Sequence, residues 1–138
     1  MYHNTLAWIL SLAGLMPVAS ACVWGYYHPL EGSLLAAILQ YLAIIQAFLA
    51  GTSWAFSLRS AEHGWGLVYA VGFALLPWFA GVLSVTSRLA LACVGFLGLL
   101  GFDYLLHNKQ IISGWYFTLR LLITSIMTAL LLIMMALL

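Results

Sequence analysis

Five apolar runs follow one another along the chain, and short polar clusters separate them. Each run has roughly the length, ~20 mostly apolar residues, that a helix needs to cross the hydrocarbon core of a bilayer. We therefore predict an all-α membrane protein, a bundle of about five antiparallel transmembrane helices that forms one domain over residues 1–138. The predicted helices cover residues 4–26, 33–58, 65–86, 89–106 and 115–138.

The connections between these helices are short, which places consecutive helices antiparallel. With an odd number of spans, the N-terminus and the second and fourth connections share one side of the membrane. Arg59 and Lys109 lie on that side, with Arg120 a turn or so inside the last helix, whereas the opposite side has only Arg88. This charge bias favours a cytoplasmic N-terminus, or a matrix-facing one in a mitochondrion. The predicted connections are 28–32, 59–64, 87–88 and 107–114.

The composition requires apolar surroundings. Hydrophobic residues make up 66% of the chain and charged residues 5%, against about a quarter charged in soluble proteins. The lipid bilayer is therefore the expected partner. A net charge of +1 provides neither a basic face for nucleic acid nor a polybasic tail for lipid headgroups, so we expect no nucleic-acid partner.

Two charged residues, Asp103 and Arg120, fall inside the predicted spans. Each charge costs about 2.5–3.5 kcal/mol at mid-membrane on insertion scales, so such residues are paired or functional. The two lie at nearly equal distances from the centre of the fourth connection, and a hairpin would bring them level and facing each other. Two interpretations remain: a static pair that fixes the hairpin register, or part of a site for a substrate, a lipid headgroup or a proton.

Polar residues of the second predicted helix lie at a similar depth. Thr52, Ser53 and Trp54 stand two turns or less before Arg59 and are expected to complete a polar layer around the ion pair. Gln46 lies near mid-membrane, where an amide without a partner is costly. We expect Gln46 to make an interhelical hydrogen bond rather than to bind a ligand.

Proline and small residues mark the helix geometry. Pro17 and Pro77 each remove a backbone hydrogen bond and are predicted to kink the first and third helices, either as ordinary membrane-helix kinks or as a hinge or local cavity. Ala47, Gly51 and Ala55 repeat at four-residue spacing, which allows a close helix approach. This stripe is interpreted as the packing seam of the bundle or as a dimer face.

Motifs for the common catalytic chemistries are absent from the sequence. The chain has no Gly-rich phosphate loop, G-x-S-x-G elbow, H-E-x-x-H motif or pair of buried carboxylates, so hydrolytic and nucleotide chemistry lack their usual groups. The histidines His3, His28, His63 and His107 lie at helix ends or in connections, whereas a haem or metal needs convergent ligands. We expect no catalytic residues, no metal and no cofactor.

Several short segments resemble one known family. Phe48 to Ala55 is similar to the Phe-Leu-Gly-Gly-x-x-Trp-Gly stretch of the "domain of unknown function 3429" family, which includes mitochondrial transmembrane protein 69. Ala50 and Ala55 stand where that family tends to have glycine. The resemblance implies a small multi-pass membrane protein of bacteria or mitochondria, with no activity attached. Further matches, in the same order, are 13–17, Pro77, Asp103, 114–116, 119–120 and Thr124.

The expected role follows from the lack of mass outside the membrane. We expect a non-catalytic accessory, assembly or self-associating membrane subunit, as a homo-oligomer or within a larger complex. The alternative is a small transporter or a lipid- or quinone-binding protein that uses the polar layer; an enzyme acting on lipid is a third interpretation. The expected location is the bacterial inner membrane, with the mitochondrial inner membrane as the alternative. A closed, dry ion pair would favour the first role, and a wet pocket the second.

Overall fold

The computed structural model describes residues 2–60 and 64–138, and this part of the chain is built from helices without strands. Five segments are long and apolar enough to cross a membrane, which confirms the predicted fold class. The first of these segments contains two helices, α1 and α2. The helices are α1 (Tyr2–Ala13), α2 (Met16–Tyr27), α3 (Gly32–Arg59), α4 (Trp65–Phe79), α5 (Val85–Asn108) and α6 (Gly114–Leu137), with a 3₁₀ turn at Ala80–Val82.

The first span is divided rather than continuous. Helix α1 ends at Ala13 and α2 begins at Met16, so the disruption predicted at Pro17 is a break between two helices rather than a kink within one. Pro17 lies in the first turn of α2, where the missing N–H of proline costs little because first-turn N–H groups have no intrahelical acceptor. The effect of Pro17 is therefore a break at the preceding two residues.

The connection between α4 and α5 also differs from its predicted position. The turn predicted at Ser87 and Arg88 lies inside the first turn of α5, and the chain reverses at Leu83 and Ser84. Ser84 Oγ accepts a hydrogen bond from the Ser87 backbone N–H at 3.4 Å. This N-cap satisfies one of the unpaired N–H groups at the helix start, so the serines begin α5 instead of interrupting it.

Helices α3 and α5 form the centre of the bundle. Helix α3 packs against α4 and α5, and α5 also packs against α4 and α6; α2 contacts α6 and, more lightly, α3. Helix α1 has no buried residue. We call the two ends of the bundle the Arg59 end, where α3 ends and α6 begins, and the Arg88 end. The buried core includes Val18, Leu42, Leu89, Phe96, Leu131 and Met134.

Candidate functional site

The hairpin of α5 and α6 brings together the two charges that the sequence places inside the membrane. Arg120 Nε donates a hydrogen bond to Asp103 Oδ2 at 2.6 Å. The exposed fractions of the two residues are 4% for Arg120 and 0% for Asp103. A charge-assisted hydrogen bond of this length offsets the cost of removing both ions from water.

Ser53 of α3 contacts the second carboxylate oxygen. Its hydroxyl lies 3.4 Å from Asp103 Oδ1 and 3.4 Å from the Leu49 carbonyl, and it donates toward both acceptors. Ser53 is fully buried. The Asp103 carboxylate therefore joins α3, α5 and α6, and both of its oxygens have partners.

A second polar contact between α3 and α6 lies beside this pair. Tyr116 Oη donates to Thr52 Oγ1 at 3.3 Å, and Thr52 Oγ1 donates to the Leu49 carbonyl at 2.7 Å. The Tyr116 ring also packs edge-on against Phe56 with 5.4 Å between centroids. Sequence reasoning missed Tyr116, although it precedes Arg120 by four residues and so lies on the same face of α6.

Trp54, which the sequence predicts for the polar layer, lies outside it, as do Gly51 and Arg59 on the same helix. Trp54 is 38% exposed, and Gly51 and Arg59 are exposed on the surface of α3. An α-helix turns by about 100° per residue, so Thr52 and Trp54 project on opposite sides of the inward-facing Ser53, and Thr52 is the one that reaches α6. The layer predicted from Thr52, Ser53 and Trp54 is thus reduced to Thr52 and Ser53.

Gln46 of α3 makes a hydrogen bond to the backbone of α4 one turn before Pro77. Its Nε2 donates to the Phe73 carbonyl at 2.8 Å, and the residue is fully buried. Phe73 precedes Pro77 by four residues, so its carbonyl is the group that loses a helical partner when proline removes an N–H. Gln46 supplies the missing donor from the neighbouring helix.

Gly95 of α5 provides the space for this amide. A Cβ atom added at Gly95 would lie 2.2 Å from Gln46 Nε2 and 2.5 Å from Gln46 Cδ and Oε1. Any larger residue would therefore displace the amide from the Phe73 carbonyl. Sequence reasoning did not identify Gly95, because a single glycine is frequent in membrane helices.

Replacing Pro77 should change the contribution of Gln46 to the stability of the protein. We expect Gln46→Leu to leave the Phe73 carbonyl without a partner, at a cost of about 1–3 kcal/mol. In a Pro77→Ala background the new backbone N–H can donate to that carbonyl, and the cost of Gln46→Leu should be smaller. Unfolding free energies in mixed micelles for the four proteins of this cycle measure the coupling. Equal costs in both backgrounds would contradict the assigned role.

At the break between α1 and α2, a polar side chain of α3 also donates a hydrogen bond to a backbone carbonyl. Tyr41 Oη donates to the Gly14 carbonyl at 2.5 Å, beside the break that precedes Pro17. In a bilayer core no water is present to satisfy a freed carbonyl, so a neighbouring helix has to provide the donor. Both proline-associated irregularities are therefore paired with polar side chains of α3.

Comparison with known protein families identifies the family of the chain. The model of the family "Protein of unknown function (DUF3429)" matches residues 3–136 of the chain. The chain belongs to this family. No curated protein and no solved structure matches the chain. The DUF3429 match includes every residue of the polar contacts described above, and it confirms the family resemblance found in the sequence.

The small-residue stripe of this DUF3429 protein does not form the bundle seam. Ala47, Gly51 and Ala55 are all exposed, and nothing lies within 4 Å of a Cβ added at Gly51. The bundle seam is instead formed by the face of α3 that carries Leu42, Gln46, Ala50, Ser53 and Ser57. The dimer-face interpretation of the stripe stays a prediction.

The described histidines of the DUF3429 protein, His3, His28 and His107, do not form a metal site. Within residues 2–60 and 64–138, no group of three His, Cys, Asp or Glu residues is placed to hold a metal ion. His107 Nδ1 lies 3.4 Å from the Ile112 carbonyl, and its ring stacks on Phe117 with 4.9 Å between centroids. His63 lies outside the described residues.

The chemistry open to the polar layer is limited by its burial and its internal hydrogen bonds. Asp103 is fully buried and has a partner at each oxygen, so its carboxylate is not accessible to a substrate from outside the bundle. Arg120 Nη2 is buried without a hydrogen-bond partner in the described part of the chain. The layer in this DUF3429 protein is therefore a closed contact among three helices in which the Nη2 group of Arg120 remains without a partner among the described residues.

Proposed function

We propose that this protein is a non-catalytic membrane subunit that associates with a second copy of itself or with a larger membrane complex. The observation that carries the proposal is the exposed face of α3 and α4. Small residues there leave a hollow of about 150 Å³ on the lipid-facing surface. Its lining residues are Ala47, Ala50, Gly51, Trp54, Ala70, Val71 and Ala74.

Such a face suits helix association in lipid. Lipid tails are as apolar as the side chains they touch, so close van der Waals packing, rather than the hydrophobic effect, holds membrane helices together. Small residues on two adjacent helices let a third helix approach both backbones. The Trp54 ring at the edge of the hollow adds a large aromatic contact surface.

The closed ion pair supports the same proposal. A transport or ligand site would be expected to present its carboxylate and guanidinium to a wet pocket. Asp103 and Arg120 are instead buried and bonded to each other at 2.6 Å. Their geometry suits a structural role in holding the α5 and α6 hairpin against α3.

The size of the extracted particle tests this proposal. We expect the tagged protein, extracted in mild detergent, to run as a homo-oligomer or with stoichiometric companion proteins. Gly51→Leu should fill the hollow and release monomer. Gly101→Leu is the matched control, because Gly101 of α5 also has nothing within 4 Å of an added Cβ. Wild-type protein that is monomeric and without companions would contradict the proposal.

A groove supports a second candidate function, the binding of a lipid or quinone. The groove has a volume of about 530 Å³ and lies among α1, α3 and α6. Its walls include Phe48 and Leu49, one turn from Thr52, and Ile123, about one turn from Arg120. An apolar tail in the groove would place its polar end near the polar layer. Mass spectrometry of the same extract supports this candidate if one lipid or quinone is retained per protein, and opposes it if none is.

The orientation that we propose has the Arg59 end in the cytoplasm of a bacterial cell, with the protein in the inner membrane. Arg59 and Lys109 at this end outnumber Arg88 at the other, as expected from the positive-inside rule. A C-terminal alkaline phosphatase fusion, active only outside the cytoplasm, should then be active. An inactive fusion that is nevertheless expressed at full length would reverse the orientation.

A further inference from the structure

A small cavity lies among α3, α4 and α5 toward the Arg88 end. Its volume is about 20 Å³. Its walls are mostly apolar and include Pro77, but two polar side chains, Gln46 and Arg88, also line it. The cavity therefore adjoins the position at which the proline interrupts the hydrogen bonding of α4.

The inner polar group of this cavity is a hydrogen-bond acceptor. Gln46 is fully buried, and its Oε1 has no hydrogen-bond partner among residues 2–60 and 64–138. The amide cannot simply turn over, since its Nε2 already donates to the Phe73 carbonyl at 2.8 Å. A buried acceptor without a partner is costly, so a donor molecule in the cavity that Gln46 lines would stabilise the protein.

The outer polar group is a donor. Arg88 is half-buried at the start of α5, and its guanidinium makes no hydrogen bond or ion pair with the described residues. The guanidinium has donors only and no acceptor. The lining of the cavity thus includes one residue with an unpartnered acceptor, Gln46, and one residue with donors only, Arg88.

We propose that this cavity is a binding site for one water molecule, which donates to Gln46 Oε1 and accepts from the Arg88 guanidinium. A buried water needs a cavity of at least about 10–15 Å³ and two to four polar partners, and 20 Å³ is room for one. An anion would face the carbonyl oxygen of Gln46, and a cation would face Arg88. Water is the small molecule that is both donor and acceptor.

This site goes beyond the proposed association and does not depend on it. Water bound here would lie beside the turn of α4 that contains Pro77. The Gln46 side chain would then make two linked contacts: its Nε2 with the Phe73 carbonyl, and its Oε1 with the water. Buried waters with such partners are part of the folded structure and are costly to remove.

Water-edited solid-state NMR of the full chain in lipid bilayers tests the site. We expect magnetisation from water to reach the Gln46 side-chain amide several-fold faster than the backbone amide of Leu99, which is fully buried in the apolar core. Equal, slow transfer to both groups would show a dry cavity and overturn the proposal.

A pair of variants locates the water at the Gln46 amide. Gln46→Met removes the acceptor while keeping a side chain of similar length, and it should slow the transfer of magnetisation to the methyl group of Ala43, which also lines the cavity. Gln40→Met on the exposed surface of α3 is the matched control and should leave that transfer unchanged. Unchanged transfer in folded Gln46→Met would contradict the assignment to Gln46.

Discussion

Arg120→Leu is expected to lower the free energy of unfolding by about 3–5 kcal/mol, because it leaves a buried carboxylate without its cation. Asp103 is 0% exposed, and the Ser53 hydroxyl that remains near it, at 3.4 Å, cannot replace a charge. The folded yield after extraction and the unfolding free energy in mixed micelles both measure the effect.

The double variant separates static pairing from other roles. Asp103→Asn together with Arg120→Leu removes both charges, and we expect it to be less destabilised than Arg120→Leu alone. Arg59→Leu is the matched control, since Arg59 is exposed at the end of α3 and should change stability little. A double variant that is more damaged than the single one would show that static pairing is the wrong account of these two residues.

Gly95→Ala is expected to destabilise the protein by about 1–3 kcal/mol through overpacking. The added Cβ would lie 2.2 Å from Gln46 Nε2, and the amide could yield only by giving up its hydrogen bond to the Phe73 carbonyl. Thermal unfolding in detergent and the free energy of unfolding should both decrease.

Two control variants test whether the effect of Gly95→Ala comes from the close contact with Gln46. Gly101→Ala on the same helix meets nothing within 4 Å, and it should be neutral or slightly stabilising because alanine is a better helix former than glycine. In a Gln46→Ala background the clash is removed, so most of the cost of Gly95→Ala should disappear. If Gly95→Ala is as harmless as Gly101→Ala, the close contact with Gln46 is not required for stability.

The ion pair of Asp103 and Arg120 is a contact that can be predicted from the sequence. Residues at similar distances from a short hairpin connection come nearly level when the two helices are antiparallel, and Asp103 and Arg120 are placed in this way around Lys109 to Ser113. Both are charged within apolar runs, so each needs a partner in the membrane. The spacing and the charge together are sufficient to predict that they face each other.

The neighbours of the pair could not be inferred in the same way. Thr52, Ser53 and Trp54 are consecutive in sequence, yet Ser53 is fully buried whereas Trp54 is 38% exposed. The rotation of α3 about its own axis decides which of them faces Asp103. In a soluble protein an alternation of polar and apolar positions would indicate that rotation, but nearly every face of α3 is apolar.

The contacts at the two proline sites could not be inferred from the sequence either. Pro17 and Pro77 are visible in the sequence as disruptions of helical hydrogen bonding. The donors that satisfy carbonyls beside them, Tyr41 at the Gly14 carbonyl and Gln46 at the Phe73 carbonyl, lie on α3, 27 residues from the acceptor in each case. Only the packing of α3 against its neighbours assigns these donors.

Hydropathy and the spacing of charges along the chain are thus enough to establish the number of spans, their antiparallel order and the facing of Asp103 and Arg120. Packing alone establishes that Ser53 and Gln46 point inward, and that Gly51 points outward. The physical reason is that lipid tails are as apolar as the side chains in the bundle core. A helix in this medium therefore has no hydrophobic stripe that marks its inward face, and close contact with neighbouring helices selects that face.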